Sequence, residues 1–102
     1  MTIILVLLFI LDKPELSTVF KELLKVSCKW ENIGILLEIE ADSLESVKAA
    51  ENTGNTQNCL REMLKIWLKK INPPPSWSAI IDALYRLGDE QLAHDLRSKY
   101  LQ

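Results

Sequence analysis

From Pro14 onward the apolar residues recur every third or fourth position, the period of a helix with one buried face. Pro14 suits the first turn of a helix. Leu16, Val19, Phe20, Leu23, Leu24 and Val26 then predict helix one over about residues 14–27. Helix two opens near Trp30, with Ile33, Leu36, Leu37 and Ile39 as its stripe. Gly34 interrupts it where a neighbouring helix could approach closely. Asp42 and Glu45 have capping-box spacing and predict a short helix three with Leu44, Val47 and Ala50 inside. Asn52-Thr53-Gly54-Asn55 reads as a turn. Helix four follows from about Thr56 to Lys70. Its stripe of Cys59, Leu60, Met63, Leu64, Trp67, Leu68 and Ile71 is the clearest amphipathic pattern in the chain. Pro73, Pro74 and Pro75 make a stiff connector. Ser76 caps helix five, which carries Trp77, Ile80, Ile81, Leu84 and Leu87 and ends at Gly88. Asp89 caps helix six, which carries Leu92, Ala93, Leu96, Tyr100 and Leu101. Short connections between six such helices predict an all-α, six-helix antiparallel bundle over residues 14–102.

Residues 1–13 form a separate apolar extension. Ile3 to Leu11 is an unbroken run of nine apolar residues. A membrane-spanning helix needs about 20. A secretory signal would carry a basic residue before the run and a small-residue cleavage site after it. No Lys or Arg precedes this run, and Asp12-Lys13-Pro14 follows it. The favoured readings are an added strand or helical turn on the bundle, or an arbitrary start inside a longer protein. The alternative is a small helical protein held at a membrane or secreted through this segment. Removing residues 1–12 would separate the two.

Composition narrows the chemistry. Of 102 residues, 48% are apolar and 25% charged, the balance of one soluble domain. A net charge of −2 argues against a nucleic-acid partner. Cys28 and Cys59 each lie in an apolar-periodic stretch and are read as small buried residues rather than a disulfide framework. His94 is the only histidine and is expected on the surface, so metal and Cys–His catalytic sets lack partners. No Gly-rich phosphate loop is present. The chain is therefore expected not to be an enzyme, to use no cofactor and to act on no small-molecule substrate.

The ordered landmarks carry a family resemblance. Trp30-x-x-Ile33-Gly34-x-x-Leu37-x-Ile39, Asp42-x-Leu44-x-x-Val47 and Cys59-x-x-x-Met63-Leu64-x-x-Trp67-Leu68 resemble helices two, three and four of the death-domain family. Ser76-Trp77-x-x-Ile80-Ile81-x-Ala83-Leu84-x-x-Leu87-Gly88 and Leu92-Ala93-x-x-Leu96 resemble helices five and six. The likeness covers about residues 14–101. It implies a Greek-key bundle in which the tryptophans are core. It also implies a cytoplasmic signalling module of apoptotic or innate-immune type that binds other death domains, with itself as one candidate. Membrane contact is not part of that expectation.

Charge gives the resemblance a place to act. Residues 31–51 carry Glu31, Glu38, Glu40, Asp42, Glu45 and Glu51 against Lys48 alone. Helix four carries Arg61, Lys65, Lys69 and Lys70 against Glu62, and helix one with its flanks adds Lys13, Lys21, Lys25 and Lys29 against Glu15 and Glu22. Arg61, Lys65 and Lys69 share one stripe at spacing i, i+4, i+8. The family pattern pairs a surface of helices one and four with one of helices two and three on the next domain. A second family contact would set Lys69, Lys70 and Asn72 against Asp89 and Glu90.

Overall fold

In the computed structural model residues 13–50 and 54–101 are described, and every regular element among them is helical. The apolar run Ile3–Leu11 lies outside the described residues. So do 51–53, which include two of the four residues of the expected turn.

Helix α1 (Leu16–Leu23) is shorter than its periodicity predicts. From Leu24 to Lys29 the chain tightens into a 3₁₀ segment with Val26 at φ −113°, ψ 22°. Leu23, Val26 and Trp30 are all buried. Their spacing of three and then four fits a 3₁₀ turn as well as an α-turn, so the stripe did not mark the change. This bend also overturns the expected burial of Cys28, which is exposed.

Helix α2 (Trp30–Leu36) buries Trp30, Ile33 and Gly34. It ends with Glu38 N–H donating to Ile35 O and Ile39 N–H donating to Gly34 O, both at 3.0 Å. That is a Schellman closure, with Glu38 at φ 63° where glycine is the usual occupant. Helix α3 (Ala41–Ala50) starts before the expected capping box. The N–H groups of Ser43 and Leu44 donate to Glu40 O at 3.0 and 3.2 Å, so Asp42 sits inside the first turn. Its charge still favours the helix N-terminus there. Ala50, expected inside, is exposed.

Helix α4 (Thr56–Leu68) is capped by Asn55, whose Oδ1 accepts from Asn58 N–H at 3.1 Å. It stops two residues before Lys70, and Ile71, assigned by period to its buried stripe, is 90% exposed. Cys59, Leu60, Met63, Leu64 and Trp67 of that stripe are buried. They make α4 the central helix, packed on α1, the 3₁₀ segment, α2 and α3. Trp67 fills the middle of the core, and truncating such a side chain costs about 3–5 kcal/mol.

The proline connector leads to α5 (Trp77–Leu87), where Ser76 Oγ accepts from Ala79 N–H at 3.1 Å as the cap motif predicts. Gly88 at φ 93° closes α5 by the same Schellman pattern as α2. Helix α6 (Glu90–Tyr100) then packs along α5, which α2 also contacts. Asp89 does not cap α6 through its side chain. Of the three tryptophans, Trp30 and Trp67 belong to the core, whereas Trp77 is half-buried and stacks on Tyr100.

Candidate protein-interaction surface

Helices α1 and α4 lie side by side. Arg61 is exposed and borders a shallow apolar groove of about 310 Å³ with Leu16, Ser17 and Phe20. Lys21 follows Ser17 by four residues on the same side of α1, one turn along that groove. Lys25 is exposed on the 3₁₀ segment. Lys69 is exposed just beyond the C-terminus of α4, where a cation also suits the helix dipole. Lys21, Arg61 and Lys69 enter no salt bridge with another described residue.

Two of the expected basic residues are otherwise engaged. Lys65 pairs with Glu62 on its own helix at 2.9 Å, which offsets part of its charge. Lys70 Nζ donates to Glu38 O at 3.0 Å and so crosses from the end of α4 to the end of α2. There it satisfies a carbonyl at the α2 terminus.

The acidic residues divide in the same way. Asp42 and Glu45 are exposed on α3 at spacing i, i+3 and share one face, with Glu40 exposed just before them. Glu31 is partly screened by Lys48 at 3.9 Å. Glu38 is exposed, but its backbone is tied to Lys70. Asp89 is held internally, both carboxylate oxygens accepting from Lys29 Nζ at 3.1 Å. Of the second expected acidic pair, only Glu90 stands exposed, beside a groove of about 380 Å³. Among the exposed residues in no salt bridge with another described residue are Lys21, Lys25, Arg61 and Lys69 on α1, the 3₁₀ segment and α4, and Glu40, Asp42 and Glu45 at α3.

Sequence reasoning missed a second polar cluster. Tyr100 Oη donates to Glu22 Oε2 at 2.6 Å, and Lys99 Nζ reaches the same oxygen at 2.9 Å. The two contacts fasten the end of α6 to α1. Hydrogen bonds from Lys99 and then Tyr100 hold the Glu22 carboxyl below its usual pKa, against a smaller opposing effect of burial. The bond to Glu22 raises the pKa of Lys99 and of Tyr100. The Tyr100 ring lies flat on Trp77, with centroids 3.7 Å apart and planes 3° from parallel. Glu22 and Tyr100 are 78 positions apart, so no local motif announces the contact.

His94 is exposed on α6, and Cys59 is buried. Among the described residues, no group of three or more His, Cys, Asp or Glu could hold a metal ion. No helix among them is long and apolar enough to cross a membrane. No family model, curated protein or solved structure matches the chain.

Proposed function

We propose that this chain is a non-catalytic interaction module with the Greek-key arrangement of a death domain, and that it assembles with like domains to build a signalling complex. The observation that carries the proposal is the separation of exposed opposite charges onto different helices. Lys21, Arg61 and Lys69 lie on the α1/α4 side, and Glu40, Asp42 and Glu45 lie at α3. Each face meets the other on a second copy, which makes a heterologous contact able to propagate. Single exposed pairs contribute about 0.2–1 kcal/mol, so they select and steer while many contacts together hold the assembly. The order of helix landmarks supports the same reading, because both core tryptophans fall on the helices the resemblance assigns to them. A cytoplasmic location follows from the proposed role.

The test is light scattering after size exclusion at low and at high salt. The wild type is expected to associate at low salt, and salt is expected to weaken the association. Lys21→Glu with Arg61→Glu should be monomeric with unchanged helical circular dichroism. Asp42→Lys with Glu45→Lys should behave alike, and mixing the two reversed variants should restore association. A wild type that stays monomeric throughout the salt and concentration range, alone and with other death domains, sinks the reading.

A further inference from the structure

We propose that the α5–α6 hairpin is a separate cooperative unit, latched to the bundle through Glu22 and Asp89, which detaches and unfolds while the α4-centred part stays folded. Packing divides the chain at this point. Helix α4 holds α1, the 3₁₀ segment, α2 and α3. Helix α6 has its main packing on α5, and outside the hairpin α5 packs chiefly on α2. The chain passes from one part to the other through Pro73, Pro74 and Pro75, which have no N–H to donate. Straightening this connector therefore breaks no hydrogen bond given by those three residues.

The line where the two parts meet is thinly sealed. A groove of about 380 Å³ lies between Lys25 and Val26 of the 3₁₀ segment and the start of α6 at Asp89 and Leu92. A second, of about 190 Å³, lies between Leu37 and Trp67 on one side and Ala79 and Asp82 of α5 on the other. Helix α6 buries only Ala93 and Leu96 of its 11 residues. At both of its ends the ties across the line are polar. Lys29 Nζ donates to both Asp89 oxygens at 3.1 Å at the start. At the end, Lys99 Nζ and Tyr100 Oη meet Glu22 Oε2 at 2.9 and 2.6 Å.

Sparse apolar burial, solvent-open grooves and polar ties mark the part of a fold that opens first. A freed hairpin does not stay helical, because short helices are marginal in water without packing. Helices α5 and α6 have 11 residues each. Detachment is therefore an order–disorder step. It uncovers Leu37 and Trp67, which share a groove with Ala79 and are now buried. The contacts of Glu22 and Asp89 are broken in the detached chain and in the fully unfolded chain alike. Val47 of α3 is buried in the other part and stays packed when the hairpin leaves. That difference separates a latched unit from a fold that opens all at once. This inference stands independently of the assembly proposed above.

The experiment is native-state hydrogen exchange on the full chain in dilute solution, with rates taken relative to those of an unfolded peptide. It follows the amides of Ala83 and Leu84 in α5, Ala93 and Leu96 in α6, and Met63 and Leu64 in α4. In the wild type the hairpin amides are expected to exchange about a hundredfold faster than those of α4. The logarithm of their rates should rise with low urea at less than about half the slope seen in α4, because detachment exposes less surface than full unfolding. Val47→Ala should speed the α4 amides about tenfold and leave the hairpin amides unchanged. Asp89→Asn and Glu22→Gln should each speed both sets about threefold, because each removes a contact present in the native state alone. One common rate and urea slope for all three helices overturns separate opening, a result the wild type gives even if Val47→Ala does not fold. A hairpin that speeds up with Val47→Ala overturns it as well. Hairpin rates unchanged by Asp89→Asn and Glu22→Gln overturn the latch.

Discussion

Gly34 of α2 faces Leu44 of α3 so closely that a Cβ on the glycine would stand 2.6 Å from Leu44 Cδ2. Met63 Cγ of α4 would lie 3.2 Å from the same point. Three helices therefore meet over a backbone without a side chain. Both neighbours are buried and have little room to withdraw. Gly34→Ala gains about 1 kcal/mol of helix propensity but is expected to lose about 1–3 kcal/mol by overpacking. The net effect should be destabilising in urea unfolding. Adding Leu44→Ala removes the clash at the cost of a cavity. The double variant should then be more stable than the sum of the single effects predicts.

Helices α2 and α5 end alike, yet one uses Glu38 and the other Gly88 in the left-handed position. A residue with a Cβ costs about 1–2 kcal/mol there, while glycine is freer in the unfolded chain. Glu38→Gly is expected to raise stability by about 0.5–1 kcal/mol, and Gly88→Ala to lower it by about 1 kcal/mol. Chemical denaturation of the two variants checks both signs.

Ser76 and Asp89 precede helices in the same sequence context, but only Ser76 caps with its side chain. Ser76→Ala should cost about 1 kcal/mol with little dependence on salt. Asn caps as well as Asp, so Asp89→Asn would be nearly neutral if Asp89 were a cap. Its carboxylate instead holds Lys29 from the 3₁₀ segment. Asp89→Asn should therefore lose up to about 1 kcal/mol, and added salt should shrink the loss.

The contrast marks how far the sequence carries. Ser76, Asn55 and Gly88 act within a few residues of themselves, and α5 is legible almost to the residue for that reason. Buried stripes such as Leu60, Met63, Leu64 and Trp67 are legible because one period fixes one face. The 3₁₀ segment is not, because Leu23, Val26 and Trp30 satisfy both helical periods. Ile71 continues a period after the helix has ended, and its exposure reflects the approach to Pro73. The charge faces are legible as signs on helices. Which charges stay available is decided by Lys29–Asp89, Lys70–Glu38 and Lys99–Glu22, contacts that exist only after the chain has folded.

Burial separates the two cysteines. Cys28 is exposed on the 3₁₀ segment, and Cys59 is buried in the stripe of α4. A thiol reagent should modify Cys28 at the rate of a small exposed thiol. Modification of Cys59 should wait for opening of the core and should speed up with denaturant. Cys28→Ser should remove the fast phase alone and leave stability within about 0.5 kcal/mol.

The clasp at Glu22 predicts an acid dependence. Lys99 and Tyr100 lower the pKa of its carboxyl from an ordinary value of 4.5. The folded chain therefore holds that proton less readily than the unfolded chain. Stability from this group is fully present above the unfolded value and is lost as pH falls through the lower folded value. Between pH 7 and 5 Glu22 should contribute no slope. Below about pH 4.5 wild-type stability should fall more steeply than that of Glu22→Gln, and the two curves should converge in acid. At the alkaline end, the raised values of Lys99 and Tyr100 give the opposite sign. Their contribution is present below the ordinary values of 10.5 and 10.0 and fades as pH rises through the folded ones. Urea unfolding of wild type and Glu22→Gln from pH 3 to 7 measures the acid limb. Parallel curves across that range would remove Glu22 as a coupling point between α1 and α6.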